Sequence, residues 1–417
     1  MDRKIQTSLI TKTLAVAITA AMASTVQAAS TEQQQIQELR QEVQALKALI
    51  QQQQQVQQQQ QVQIQQVQAQ PAPAAKSASP FSLKSKGGAE VNLYGFVRGD
   101  ANYIVEGADN DFNSVHTSTG AAKDKLRATP KTTRLGLDFS SPVGDRKVGG
   151  KIEVDFAGSN DALRIRHAYL TLDNWLLGQT TSNFLSNHAP EMIDFGTNVG
   201  GGITRIPQVR YSHKLAPGTQ LLVSAEEGDS SGEGLTYRLP VLTAKVTQGF
   251  ANGKGAASAR AMVENYKSTT ANDDKTGWGV AAGAHYQVTE PLKISADVSH
   301  VVGNSNYLYG SNTAYSLDGR NIEQNEFTAF QVGATYKFAP NLRSTLGYGA
   351  IFADDGTDYA ALNEDANKEV YQAWLNFIYS PVKPVDLGIE YINGERETFA
   401  GNKFKDNRFG LMARYNF

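Results

Sequence analysis

The sequence predicts an all-β transmembrane protein, an antiparallel barrel of about sixteen strands with an inward-folded third loop, preceded by a short α-helical coiled coil. Three observations predict it. Strand-length segments alternate apolar and polar residues, as expected where one face meets lipid and the other a watery lumen. Short turns and long polar loops alternate between these segments. The final segment, Phe409–Phe417, alternates down to a terminal aromatic residue.

Residues 1–28 have the pattern of a secretory signal peptide. Basic Arg3, Lys4 and Lys12 precede an apolar stretch from Leu14 to Met22, and a small-residue cleavage pattern ends at Ala28. We expect export to remove this segment. The apolar stretch is too short to span a bilayer, and no other run of about twenty apolar residues occurs, so a membrane span would have to be a barrel.

Composition excludes several classes of function. The chain contains no cysteine, which rules out disulfides, thiolate metal sites and cysteine nucleophiles. The formal net charge is −2, and basic residues are spread along the chain, so no nucleic-acid partner is expected. Any charge selectivity must therefore depend on where individual charges point.

Residues 29–70 have a different period and predict a glutamine-rich coiled coil in the periplasm. An a/d seam is formed by residues three and four apart: Ile36, Leu39, Val43, Leu46 and Ile50. From Gln51 onward the spacing is irregular, and helix and disorder both remain open. The residue types in the seam alone favour two strands. Residues 71–89 are rich in Pro, Ala and Ser and predict an extended linker.

The barrel itself is predicted for residues 90–417. Val91–Val105 places Arg98 and Asp100 on one face and Val97 and Tyr103 on the other. The same separation of charged from apolar faces recurs in later segments, which indicates a wet interior. A barrel of this size encloses an aqueous channel rather than a packed core.

Several segments, taken in order, resemble those of Gram-negative trimeric porins: Leu93–Arg98, Thr133–Phe139 with its Pro-Val-Gly turn, Arg166–Leu170, Arg210–Ser212 and the terminal phenylalanine. With the glutamine-rich coil in front, the chain resembles the DcaP-like porins. The resemblance implies a homotrimer in an outer membrane that contains lipopolysaccharide. It also implies a third loop folded into each lumen and uptake of small anionic solutes such as dicarboxylates. Phe417 resembles the signal that the barrel-assembly machinery recognises.

The third loop, Ser182–Arg205, is predicted to narrow the pore. It is too apolar for a solvated loop, and its glycines allow sharp bends. A loop on the surface, covered by a partner, is the alternative. The candidates for the narrow point are His188, Glu191, Asp194 and Arg205. The resemblance to porins implies an arginine ladder opposite this loop: Arg98, Arg134, Arg164, Arg166 and Arg210.

One strand of this ladder has an ambiguous alternation. Between Leu163 and Leu172, Arg164 and Arg166 share a face with Ala168 and Leu170. Either the strand bends or one assignment is wrong.

These observations predict a porin that lets small hydrophilic solutes diffuse passively, with a preference for anions. An outer-membrane hydrolase of lipids or peptides and a structural or adhesive barrel are the alternatives. The chain has no Gly-x-Ser-x-Gly or His-Glu-x-x-His motif, and its acidic loops lack the spacing of a calcium site. The coil is too short for a passenger domain. We therefore expect no catalytic residue, no metal and no cofactor.

Overall fold

The computed structural model describes residues 82–85, 87–194 and 198–417. The predicted signal peptide, the predicted coiled coil and residues 71–81 of the predicted linker lie outside the described residues. Within the described ranges, no helix is long and apolar enough to cross a membrane.

Strands dominate the described part of the chain. They are β1 Ser82–Lys84, β2 Glu90–Gly107, β3 Ala122–Thr129, β4 Arg134–Val143, β5 Arg146–Asp155, β6 Arg164–Leu172, β7 Trp175–Thr181, β8 Arg205–Ala216, β9 Thr219–Glu226, β10 Leu235–Tyr237 and β11 Val241–Phe250. They continue with β12 Gly255–Ser268, β13 Asp273–Gln287, β14 Leu292–Val302, β15 Tyr315–Asp318, β16 Asn321–Gln324, β17 Glu326–Ala339, β18 Leu342–Ala353, β19 Asn367–Tyr379, β20 Val385–Thr398 and β21 Lys403–Asn416. Short helical turns lie at Val115–Thr117, Ser159–Asp161, Ala251–Gly253 and Asp358–Leu362.

Strand pairing closes these elements into a barrel. The first and last strands, β2 and β21, pair with each other from Phe96 and Asn416 onward. β3 and β4 both pair with β2, and β10 and β11 both pair with β12, so each of these two couples fills one position in the wall. β15 and β16 form a separate hairpin. The result is the predicted closed antiparallel barrel with 16 strand positions.

The end of the predicted linker forms a short strand beside β2. Ser82–Lys84 forms β1, which pairs with the first residues of β2. β21 pairs with β2 only from Phe96 onward, so the preceding residues of β2 present an open strand edge on that side. An added strand satisfies the backbone groups of such an edge.

Sequence alternation decides which side each residue faces. In β2, Arg98 and Asp100 are buried inside the barrel, whereas Val97 and Tyr103 are exposed on the outside. The outer surface carries exposed apolar residues from many strands, among them Leu135, Ile152, Val209, Leu242, Val298, Leu346 and Leu411. Aromatic neighbours near the strand ends include Trp175 and Tyr211, whose ring centroids are 4.8 Å apart. This outer face has the apolar band and aromatic girdles of a membrane barrel.

The connections differ at the two rims. Short turns join β4 to β5, β6 to β7, β8 to β9, β11 to β12, β13 to β14, β17 to β18 and β19 to β20. The other rim carries the long connections. Three of them extend into the barrel: loop 1 (residues 108–121), loop 3 (residues 182–204) and loop 6 (residues 303–325).

A hydrophobic cluster lies inside the barrel, where these loops meet the wall. Loop 3 contributes Phe184, Leu185 and Val199, and loops 1 and 6 contribute Val115 and Tyr307. The wall contributes inward-facing residues of β11 to β19: Val241, Met262, Ala281, Val301, Phe327, Ala329, Ile351, Ala353 and Val370. Part of the lumen is therefore packed rather than filled with water.

Candidate functional site

Loop 3 folds into the lumen, as predicted, and is fixed to the wall opposite its own root. The backbone N–H groups of Ile193 and Asp194 donate to the Glu390 carboxylate of β20, at 2.8 and 2.7 Å. The guanidinium of Arg98 donates to the carbonyl oxygen of Ile193 at 2.6 Å. Because these contacts join both sides of the barrel, loop 3 narrows the space through which a solute can pass.

Glycines line the wall where loop 3 touches it. They face inward at four places: Gly279, Gly333, Gly349 and Gly388. A Cβ atom at Gly349 would collide with the carbonyl oxygen of Val199. One at Gly333 would lie 2.5 Å from the Cβ atom of Pro190. The loop can approach the wall this closely only because side chains are missing from it.

The water-filled space lies along the inward faces of β4 to β8. The side chains of Arg134, Lys151 and Arg164 are 23, 21 and 35 % exposed. Polar residues on the inward faces of β11 to β19 are instead buried, among them Thr243, Glu264, Gln331 and Gln372. A solute therefore meets these residues of the first group. Arg343 of β18 is also partly exposed, but it forms an ion pair with Glu191.

A β-bulge sets the direction of two arginines. The register between β5 and β6 shifts at Arg166, which is the extra residue of the bulge. A bulge moves the alternation by one residue. Arg164 and Arg166 therefore face the lumen, while Leu170 remains exposed on the outside. The bend resolves the ambiguity that the sequence left between residues 163 and 172.

Two carboxylates hold three of the arginines on these strands. Arg166 donates to Glu153 at 2.8 Å and to Asp155 at 2.7 Å. Arg164 binds Asp155 through two N–H groups, at 2.9 and 2.7 Å. Arg134 Nε lies 3.3 Å from the Glu153 carboxylate but makes no aligned hydrogen bond there. Both carboxylates are thus shared between arginines.

Arg205 completes this group at the root of loop 3. It begins β8 and interacts electrostatically with Arg134, Arg164 and Arg166. Among the described residues, no carboxylate forms an ion pair with Arg205, and its Nε has no hydrogen-bond partner. We call Arg134, Arg164, Arg166 and Arg205 the arginine cluster. Its four guanidinium groups face two carboxylates, which leaves two positive charges in excess.

The other predicted ladder residues lie apart from this cluster. Arg210 faces the lumen farther along β8 and donates to the side chain of Asn183 at 3.2 Å. Arg98 is buried and paired with Asp100, to which its Nε donates at 2.9 and 3.0 Å. Arg98 therefore fixes loop 3, whereas Arg134 and Arg164 of the arginine cluster remain partly exposed in the channel.

The residues predicted to line the narrow point of the pore also lie at different places in the lumen. Glu191 forms a bidentate ion pair with Arg343 of β18, with both contacts at 2.8 Å. Asp194 accepts a hydrogen bond from the backbone N–H of Asn113 in loop 1 at 2.9 Å. Arg205 belongs to the arginine cluster instead.

His188, the remaining predicted residue, is buried against the wall. Its Nδ1 lies 2.9 Å from Nδ1 of His285 in β13, and its Nε2 lies 3.0 Å from the hydroxyl of Ser258 in β12. Burial, together with nearby His285, Arg260 and Lys245, lowers the pKa of His188 to about 4.

Sequence reasoning missed a second set of functional residues, the acids that fix the loops. Glu226 accepts hydrogen bonds from the backbone N–H of Asn183 and the hydroxyl of Tyr307, each at 3.0 Å. Glu264 accepts one from the side chain of Asn304 in loop 6 at 3.0 Å. Glu390 accepts the hydrogen bonds from the backbone N–H groups of Ile193 and Asp194 in loop 3. Inward-facing glycines on the neighbouring strands are the sequence signal that could have indicated these docking sites.

A closed 16-stranded barrel, with an inward third loop and a charged lumen, defines an outer-membrane channel of the porin class. The chain belongs to the DcaP outer membrane protein family, whose sequence profile matches residues 15–417. It is 69 % identical to the outer membrane channel DcaP of Acinetobacter baumannii, whose crystal structure it matches with a TM-score of 0.79 over 80 % of this chain and 99 % of that chain. Family and structure are those of a channel and not of an enzyme.

More distant structures share the fold. OmpT of Vibrio cholerae is 16 % identical with a TM-score of 0.55, over 81 % of this chain and all of that one. An anion-selective porin from Comamonas acidovorans is 13 % identical with a TM-score of 0.55, over 79 % of this chain and 100 % of that chain. No curated protein matches the chain.

Proposed function

We propose that the channel conducts small anions, including dicarboxylates, by passive diffusion across the outer membrane. The arginine cluster carries this proposal. It has two positive charges in excess and lies where solvent reaches the interior. Within the described residues, the buried Nε groups of Arg134 and Arg205 have no hydrogen-bond partner, so the charges of these two guanidinium groups are incompletely compensated.

Local charge outweighs the formal net charge of −2. At about 6 Å, two unit charges interact by roughly 0.7 kcal/mol in bulk water and about 3 kcal/mol at an effective dielectric constant of about 20. A narrow lumen lies between these limits. The acids of β9, β12 and β20 are buried in hydrogen bonds to the loops and do not face the channel.

Arginine geometry favours carboxylates among the anions. A guanidinium group binds a carboxylate through two parallel hydrogen bonds. Neighbouring arginines with charge in excess can hold the two ends of a short dicarboxylate, or pass it from one to the next. Each contact must remain weak enough for release, which competition from Glu153 and Asp155 ensures.

The test is the reversal potential of the purified channel in a KCl gradient. We expect anion selectivity in the wild type and a shift toward cations in Arg205→Gln, while Arg205→Lys retains most of the preference. Lys254→Gln is the matched control, because Lys254 is exposed in the turn between β11 and β12. Cation selectivity in the wild type would refute the proposal.

Competition tests the dicarboxylate itself. Succinate added to a chloride-conducting channel should reduce the chloride current more than acetate at equal charge concentration. Arg205→Gln should remove most of this difference. Equal reduction by both acids in the wild type would limit the proposal to anions in general.

The proposal includes assembly as a homotrimer. Residues 1–28 are removed on export, the barrel-assembly machinery recognises Phe417, and three coils of residues 29–70 stand together in the periplasm. About forty helical residues reach roughly 60 Å at 1.5 Å per residue. Removal of residues 31–80 should leave the trimer intact but less resistant to heat. A dimer mass in mild detergent would contradict the trimer.

A further inference from the structure

Two histidines join loop 3 to the barrel wall. His188 of loop 3 is 4 % exposed. Its Nδ1 lies 2.9 Å from Nδ1 of His285, and the two ring centroids are 5.1 Å apart. Its Nε2 bonds the hydroxyl of Ser258 at 3.0 Å. Both nitrogens of the His188 ring are therefore engaged with residues of the wall.

The hydrogen bond between the two rings depends on their protonation. When both imidazoles are neutral, one Nδ1 donates its proton and the other accepts it. A single imidazolium can still donate to the neutral ring, but it places a charge in a buried site. When both rings are charged, both Nδ1 atoms are donors, the hydrogen bond is lost, and two cations lie side by side.

The surroundings offer no compensation for the added charge. Lys245 of β11 donates to the carbonyl oxygen of Leu185 in loop 3 at 2.7 Å. Arg260 of β12 pairs with Asp297 of β14 at 2.6 Å, and the same carboxylate accepts from Ser186 of loop 3 at 2.7 Å. Lys293 of β14 adds another positive charge beside His285. Asp297 is thus the one acid facing this contact among the described residues, and it is already paired.

We propose that His188 and His285 form an acid-sensitive latch, whose protonation releases this side of loop 3 from the wall and widens the pore. The inference rests on the channel function. It concerns the regulation of the same constriction and not the charge preference of the arginine cluster.

The direction of the pH effect follows from the pKa of His188 in the docked and undocked loop. When loop 3 is undocked, its imidazole has an ordinary pKa near 6.5. In the docked loop the pKa is lowered to about 4. The undocked loop therefore binds more protons between these values. Docking is strongest above about pH 6.5 and weakens as the pH falls toward 4, by about two orders of magnitude in its equilibrium constant.

The experiment is single-channel conductance of the full-length protein in planar bilayers between pH 7.5 and pH 4. We expect the wild-type conductance to rise about twofold toward pH 4, with increased current fluctuations near the midpoint. His188→Asn should lose most of this rise because the buried imidazole that takes up the proton is absent. His213→Asn is the matched control, since His213 is exposed on β8, and it should respond as the wild type does.

Limited proteolysis at pH 4 separates loop movement from a simple change of lumen charge. Only an undocked loop 3 should be cleaved faster in the wild type than in His188→Asn.

The latch and the proposed anion preference are tested by different measurements. A wild-type conductance that does not change with pH, or an equal acid response in His188→Asn, would overturn the latch. Equal cleavage of loop 3 at pH 4 in the wild type and in His188→Asn would do the same. None of these results alters the reversal potential at pH 7.5, which tests the anion preference alone.

Discussion

The two sides of the barrel interior are built from the same alternation of residues, but one side is covered by loops and the other is open to solvent. On β11 to β20, loops 1, 3 and 6 cover the inward faces, and even charged groups such as Glu264 and Glu390 are buried. On β4 to β8, Arg134 and Arg164 of the arginine cluster remain in contact with solvent. The loops, more than the strands, thus decide which charges a solute meets.

Hydrogen-bond chemistry explains the packed side. A buried carboxylate needs donors and a buried cation needs acceptors, since leaving either without partners costs several kcal/mol. The loop backbone supplies both: Glu390 accepts two N–H groups of loop 3, while Arg98 and Lys245 donate to its carbonyl oxygens. The charged groups that contact the loops are therefore hydrogen-bonded to them and do not contact a solute in the channel.

Deletion of residues 187–201 should remove most of the difference in solvent access between the two sides of the lumen. Without this part of loop 3, the inward faces of β11 to β20 become open to water. We expect single-channel conductance to rise severalfold, provided that the deletion variant still migrates as a folded barrel. Unchanged conductance in a folded variant would mean that loop 3 does not limit the pore.

Gly349→Val should produce a smaller change of the same kind. Its Cβ atom would collide with the Val199 carbonyl oxygen and displace one contact of loop 3. We expect conductance to rise about twofold. The control is Gly99→Val on β2, where an added Cβ meets no atom within 4 Å. Equal conductance in the two variants would show that this contact does not hold the loop.

Glu390→Gln should loosen loop 3 without removing it. An amide presents one acceptor oxygen to the two N–H donors of Ile193 and Asp194, which leaves one buried donor unsatisfied at a cost of about 1–3 kcal/mol. We expect more frequent current fluctuations and faster proteolytic cleavage within the loop. Glu290→Gln, in an exposed turn, should behave like the wild type. Matching fluctuations in both variants would argue against the anchor.

The smallest effect, on the reversal potential, is expected from removing the Arg98–Asp100 ion pair, whose charges cancel. Arg98→Ala combined with Asp100→Ala deletes one charge of each sign on β2, where both residues are buried beneath loop 3. We expect the reversal potential to shift much less than in Arg205→Gln. A comparable shift would place Arg98 in the conducting path and contradict the division of the lumen into two sides.

Alternation allowed the barrel and its orientation to be predicted, because the direction of a side chain in a strand depends on local sequence. Arg98 and Arg134 lie on the inward faces of their strands for this reason. The bulge at Arg166 was not predictable, since an inserted residue looks like any other until its partner strand is known. Arg205 was assigned to the loop, although it begins β8 and completes the arginine cluster.

The partners of the inward acids could not be predicted for a different reason. Alternation along their strands is consistent with the positions of Glu226, Glu264 and Glu390 inside the barrel. Their hydrogen-bond partners, however, lie far away in the sequence, as the pair of Glu390 and Ile193 shows. Alternation carries no information about such distant contacts.

The glycines beneath loop 3 have a consequence for the divergence of this family. Val199 can approach the wall only while position 349 lacks a side chain, and Pro190 depends on position 333 in the same way. A larger residue at either wall position is tolerated only together with a smaller or displaced loop residue. We therefore expect correlated substitutions at these two pairs in an alignment of related channels, although each pair spans more than a hundred residues of sequence.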